Sequence, residues 1–222
     1  QGNIFTRYAI HKIMLKEKIA GAVEGVKVWY DPEVMRLNHE GHGEPLGEFL
    51  PDERVLVVNP DGTYFLANTN YALRFDVQPL LVEKFNPHKV FSAVYFDGEQ
   101  KQHYLKRFRF EPTEKTQSFI PDEYSSKLIA LNADVFPALK LVFGGKHANR
   151  EPENIDVDAF IAVKGYKAKG KRLTTFEVKR VEFTEPLEKE RSAFEEETSV
   201  ITDSESEDND SGSSAEQMSL EL

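Results

Sequence analysis

The sequence predicts an all-β protein whose hairpins repeat like the blades of a propeller, with an acidic tail after them. Three observations lead there. Four segments align as apolar strand, turn and aromatic strand: DERVLVVNPDGTYFLAN (52–68), HKVFSAVYFDGEQKQHYLKRFRF (88–110), SKLIALNADVFPALKLVF (126–143) and DAFIAVKGYKAKGKRLTTFEV (158–178). With Val55, Val90, Leu128 and Ile161 as anchors the intervals are 35, 38 and 33 residues, a loose period of the kind that marks repeat architectures. Few stretches keep apolar residues at i, i+3 and i+4 long enough for a helix. Radial repetition suits such hairpins because each blade buries both faces against its neighbours and leaves only short edges. A β-sandwich would use similar strands, but it does not ask for the period.

Each element has a local reason. GNIFTRYAIHKI (2–13) resembles only the second strand of the other units, so it is expected to close a circular array of about four to five blades. The 52–68 unit turns at Pro60, Asp61 and Gly62, a hairpin signal between β-branched and aromatic runs. In the 88–110 unit, Leu105, Phe108 and Phe110 are expected to face inward, with Lys106, Arg107 and Arg109 partly outward. Trp29, in VKVWYD (26–31), reads as a core anchor. The 126–143 and 158–178 units are read as further hairpins, and LTTFEVKRVEF (173–183) as strand.

Bulk properties narrow the classes. The chain has 222 residues, 40% of them hydrophobic, with 16 Phe and 8 Tyr, enough for a substantial core. No run approaches the ~18 apolar residues of a membrane helix, and no leader precedes a cleavage site. Membrane and export readings are set aside, and a cytoplasmic location is expected. The absence of Cys excludes disulfides and thiolate metal sites. The first residue is Gln1, so a piece of a longer polypeptide is expected.

The net charge of −10 is unevenly placed. Residues 186–222 hold twelve Asp and Glu against two Lys and Arg, whereas residues 1–185 hold 26 of each. Residues 1–185 are expected to form the folded domain. The tail, ending in TDSESEDNDSGSS (202–214) before its last residues, is too polar to bury its surface and is expected to be disordered.

Gly165 to Lys171 nearly spells a phosphate-binding loop, GxxxxGK followed by Ser or Thr. The next residue is Arg172, so the hydroxyl that would hold magnesium is missing, and the segment beyond reads as strand, not helix. What remains is a basic hairpin carrying Lys164, Lys167, Lys169, Lys171 and Arg172, with no acidic residue anywhere in 159–176. A second cluster is Lys106, Arg107 and Arg109; a third is Arg7, His11, Lys12, Lys16 and Lys18, and Lys27 joins the candidate contacts. Basic strips on a body of zero net charge suggest a rim that follows a phosphate backbone without reading bases. His39, Glu40, His42 and Glu44 sit in a Gly-rich loop without zinc-site spacing. Asp208 and Asp210 precede Gly212 but lack the closing Glu of a calcium loop. No Ser/His/Asp set has a nucleophile-elbow context, so no catalytic or metal residue and no cofactor is expected.

These residues resemble a known family, the C-terminal domain of the bacterial type IIA topoisomerase A subunit (topoisomerase IV A or DNA gyrase A), closest to its Bacteroidetes members. The resemblance is carried by GNIFTRYAIHKIMLKEK (2–18), KVWYDPEVMRLN (27–38), LGEF (46–49), YLKRFRFE (104–111) and FIAVKGYKAKGKRLTTFEV (160–178), and it covers nearly all of 2–185. It implies a β-pinwheel, a propeller variant with strands exchanged between blades, that binds and bends duplex DNA on a basic outer edge and guides the transfer segment. It implies no active site here: the catalytic tyrosine would lie outside this chain, so Tyr8, Tyr30 and Tyr166 do not inherit its role. ATP and magnesium would serve only the full enzyme, with the rest of the A subunit and the ATPase B subunit as partners. The gyrase box QRRGGKG is replaced by IAGAVEG (19–25), which favours topoisomerase-IV-like guidance over strong wrapping. The resemblance also implies an acidic tail that competes with DNA for the rim. A propeller scaffold for a protein partner is the alternative.

Overall fold

The computed structural model describes residues 25–69 and 73–187. Within them the chain forms four sheets, antiparallel except for one parallel pairing in the third. The first holds β1 (Val26–Asp31), β2 (Arg36–Asn38) and β3 (Glu44–Phe49) in the order β2-β1-β3. The second holds β4 (Val55–Val58), β5 (Thr63–Ala67), β6 (Leu81–Lys84) and β9 (Gln117–Ser118), ordered β6-β4-β5-β9. The third is built on β7 (Phe91–Asp97) and β8 (Gln102–Arg109), flanked by β10 (Lys127–Asn132), β13 (Val163–Gly165) and β14 (Lys171–Arg172). The fourth is β12-β11-β15, from β11 (Ala138–Phe143), β12 (Glu153–Asp156) and β15 (Val178–Thr184). The helical elements among the described residues are a 3-10 turn at Gly145–His147 and α1, Val157–Phe160.

Side-chain parity explains how the sheets pack. Along β4 all four residues are buried: Val55 and Val57 face the first sheet, where they meet Val28, Tyr30, Leu37 and Phe49, while Leu56 and Val58 face the third. The third sheet repeats this. Phe91, Ala93 and Tyr95 pack toward the second sheet, and Val94 and Leu105 toward Leu139, Leu141 and Val181 of the fourth. Period two thus serves both faces of the middle sheets, and the four sheets stack face to face in chain order. Among the described residues, no buried cluster joins the first sheet to the fourth.

Two of the expected hairpins form. β4 and β5 pair across a turn in which Gly62 adopts φ +82° and the Asp61 carboxylate accepts from the Thr63 amide at 2.9 Å; a Cβ at Gly62 would lie 2.5 Å from Ile120. β7 and β8 pair from Phe91↔Phe108 to Asp97↔Gln102. The 126–143 unit departs from expectation: β10 pairs with β7, and β11 pairs with β12 and β15 in the next sheet. The unit is thus split between two neighbouring sheets, consistent with a pinwheel-like fold. The 158–178 unit is not a hairpin either, since β13 and β14 both attach to β8, one parallel and one antiparallel. Trp29 is half-buried and not a core anchor, because alternation gives the core face of β1 to Val28 and Tyr30. The N-terminal strand at 2–13, the IAGAVEG stretch apart from Gly25, and the tail beyond Leu187 lie outside the described residues.

The Gly-rich loop at 38–44 is held by one buried side chain. Asn38 accepts from the amides of Glu40 and His42, both at 3.1 Å, and donates to the His42 carbonyl at 2.8 Å. Asn38→Ala is expected to cost about 1–2 kcal/mol, because it strands those backbone groups. Hydrogen exchange should rise selectively at 39–43, and uniform exchange changes would contradict this role.

Candidate nucleic-acid interface

The basic segment is an edge of the third sheet. β8 pairs with β7 on one side, and on the other it receives β13, with Lys164 beside Phe108, and then β14, with Lys171 beside Leu105 and Arg172 beside Tyr104. From Lys164 beside Phe108 to Arg172 beside Tyr104 the cations span four residue rises of β8, about 13 Å. A duplex presents about one phosphate per 3.4 Å on each strand, so this length meets about four.

Three features fix the loop between the two short strands. Tyr166 is buried, its ring edge-on to Tyr64 at 5.4 Å and its hydroxyl donating to Gln117 Oε1 at 3.3 Å. Gly170 donates to the Tyr95 hydroxyl at 3.2 Å, and a Cβ there would come within 2.5 Å of the Leu105 carbonyl oxygen. The Ala168 amide donates to Gly165 O at 2.9 Å. The strands β14 and β15 follow this loop, and a strand lacks the aligned amides that a nucleotide cradle draws from a helix N-terminus.

The exposed cations ride on aromatic rings. Lys171 Nζ lies 4.2 Å from the Phe160 ring centroid and donates to Phe160 O at 3.2 Å. Lys169 Nζ lies 4.8 Å from the Tyr104 ring and 3.2 Å from Asp97 Oδ2, and Lys167 Nζ lies 5.5 Å from Tyr166. These contacts pre-order long side chains that would otherwise lose rotamer freedom on binding. Burial pushes the Asp97 carboxyl up, but the Gln100 amide, the Lys169 ammonium and the Glu99 amide outweigh it and hold its pKa below the usual carboxylate range. Asp97 in turn raises the pKa of Lys169. Lys164 and Arg172 are exposed, which leaves their charge to solvent.

The second cluster divides. Arg109 is exposed, its Nε donating to His88 O at 3.2 Å. Arg107 is half-buried and ion-paired to Asp158 at 2.5 Å. Lys106 corrects the sequence reading: it is 5% exposed, and its ammonium donates to the carbonyls of Phe119 (2.7 Å) and Tyr166. The reason is the double-faced sheet. Even positions of β8 (Tyr104, Lys106, Phe108) face the second sheet and Leu105 faces the fourth, so alternation offers Lys106 no solvent side. Ala93, directly across from Lys106, is small enough to leave room for its stem. Burial pushes the Lys106 pKa down to about 8. Lys106 anchors the loop and is not a surface contact.

Lys27 is exposed on β1, in the first sheet, two sheets away from the 163–172 edge. Arg7, Lys12, Lys16 and Lys18 lie outside the described residues. A cleft of about 420 Å³ opens beside the loop, but Lys106, Lys167 and Lys169 in its lining are matched by Asp97, Glu99 and Asp122, so it is not an anion pocket. The ring platforms of Tyr104 and Phe160 were missed in the sequence; lysines interleaved with Phe160 and Tyr166 in FIAVKGYKAKGK were the available signal for Phe160, whereas Tyr104 meets Lys169 only through the pairing of β14 with β8.

A family model described as the topoisomerase C-terminal domain of Bacteroidota matches residues 36–185, about two thirds of the chain. No curated protein and no solved structure matches it.

Proposed function

This chain belongs to the Bacteroidota topoisomerase C-terminal domain family, and from that premise we propose that it is a duplex-DNA-binding and DNA-bending domain. On this reading the 163–172 edge of the third sheet grips the phosphate backbone, without base readout, and steers the transfer segment of a type IIA enzyme. The observation that carries the reading is the edge itself: Lys164, Lys167, Lys169, Lys171 and Arg172 spread along about four phosphates' length of strand, with no acidic residue in 159–176. Such a domain has no chemistry of its own to perform. Any ATP, magnesium or catalytic tyrosine belongs, on this proposal, to the remainder of the enzyme, and the rest of the A subunit and the ATPase B subunit are its protein partners.

The test is duplex binding by fluorescence anisotropy across salt concentrations. Binding should weaken with a log–log slope of about −0.9 for each phosphate neutralised, thus about −3 to −4 for this edge. Unrelated duplex sequences should bind alike. A salt-insensitive interaction, or none at 50 mM salt, would reject DNA in favour of a scaffold that presents apolar anchors to a protein partner.

A further inference from the structure

Far along the stack, two arginines meet head-on. Arg36 of β2 forms an isolated antiparallel bridge with Arg74. The flanking hydrogen bonds run from Leu37 N to Leu73 O and from Phe75 N to Met35 O, both 2.7 Å, so Arg36 and Arg74 are a non-hydrogen-bonded pair. In that register the side chains come closest, about 4.5–5.5 Å between Cβ atoms. The register is pinned from the opposite face, where Leu37 and Phe75 are buried and the Phe75 ring packs 5.8 Å from Tyr30. Met35, just before the pair, holds φ at +52°, an unusual conformation for a side-chain-bearing residue.

Both arginines are exposed. Among the described residues neither guanidinium forms an ion pair with a carboxylate. Asp31 lies opposite Arg36 on its other side, but its Oδ1 accepts from the amides of Glu33 and Val34 at 3.0 and 3.4 Å. Like charges directly opposite on a sheet are destabilising. A tetrahedral oxyanion between two guanidinium forks reverses the sign, since each fork offers parallel N–H donors to it.

We propose that Arg36 and Arg74 form a clamp for a phosphate oxyanion. That the phosphate is a phosphodiester of duplex DNA rests on the function proposed above; that the pair takes a phosphate does not. The first arm of the test compares melting temperatures in potassium phosphate and potassium chloride at matched ionic strength, for wild type, Arg36→Gln, Arg74→Gln and the double variant. Wild type should gain an extra upward shift in phosphate that all three variants lose. In chloride the variants, freed of the repulsion, should melt at or above wild type, so the loss is not unfolding.

The second arm titrates labelled duplex. Either single substitution should make the log–log salt slope shallower by about one, and the second should add little, because both side chains share one phosphate. Loss of the phosphate shift with unchanged duplex binding would assign the clamp to a free phosphate anion. No phosphate-specific shift in wild type, or an equal shift in the double variant, overturns the clamp whatever the DNA arm shows. Absence of duplex binding by wild type would refute the DNA reading and leave the melting comparison decisive.

Discussion

Alanine at Lys164, Lys167, Lys169, Lys171 and Arg172 together is expected to remove most of the salt-sensitive part of duplex binding. With about four phosphates no longer neutralised, the log–log slope should become shallower by about three to four, and affinity at 50 mM salt should fall on the order of a hundredfold or more. The five side chains are exposed, so the core packing is untouched. One of them has a second role: Lys169 pairs with Asp97, whose carboxylate is 3% exposed. Its removal leaves that carboxylate with the Glu99 and Gln100 amides alone. A variant that spares Lys169 should therefore keep the wild-type melting temperature while losing nearly as much affinity. Equal affinity of the five-fold variant and wild type at 50 mM salt would remove this edge from the binding surface.

The second large effect is on stability, through Lys106. An unfolded lysine holds its proton up to about 10.4, whereas the folded Lys106 releases it at about 8. Between those values the unfolded chain binds more protons, so stability rises with pH. The gain is about 2 kcal/mol from pH 8 to 9.5, and about 3 kcal/mol if carried through the unfolded value. Lys106→Met lacks this slope. At pH 7 two effects oppose each other: Met removes a buried charge that has no carboxylate within ion-pairing distance among the described residues, and it leaves the Phe119 and Tyr166 carbonyls without their lysine donor, so the variant should stay within about 2 kcal/mol of wild type. The comparison belongs below pH 10, since burial raises the pKa of Tyr30, Tyr64 and Tyr95, and their effect above that pH has the opposite sign. Urea unfolding of both proteins at pH 7.5 and 9.5 reads the difference; parallel pH dependence would show that the two carbonyls keep the ammonium charged. The salt slope of duplex binding should be the same in both proteins, because Lys106 does not reach the surface that meets the phosphates.

Local chemistry by itself determined the all-β class, the β4/β5 and β7/β8 hairpins and the position of the cations between 164 and 172. Each is set by neighbours within a few residues: alternation, an Asp-Gly turn, a run without carboxylates. The partner of a strand is not local. β10 and β11 are adjacent in sequence and have hairpin-like patterns, yet they enter different sheets, because apolar alternation specifies that a face is buried without specifying against which neighbour. Lys106 shows the same limit in one residue. Period two placed it opposite to Leu105, which on a half-exposed sheet means solvent; only the stacking of a sheet on each side of β8 turned that direction into a second interior. The Arg36–Arg74 pair is likewise a product of register between segments 38 residues apart, and no sequence period points from one to the other. What the tertiary structure decided is which inward and outward directions exist at all, because a sheet packed on both faces leaves a charged side chain only its edges as a route to water.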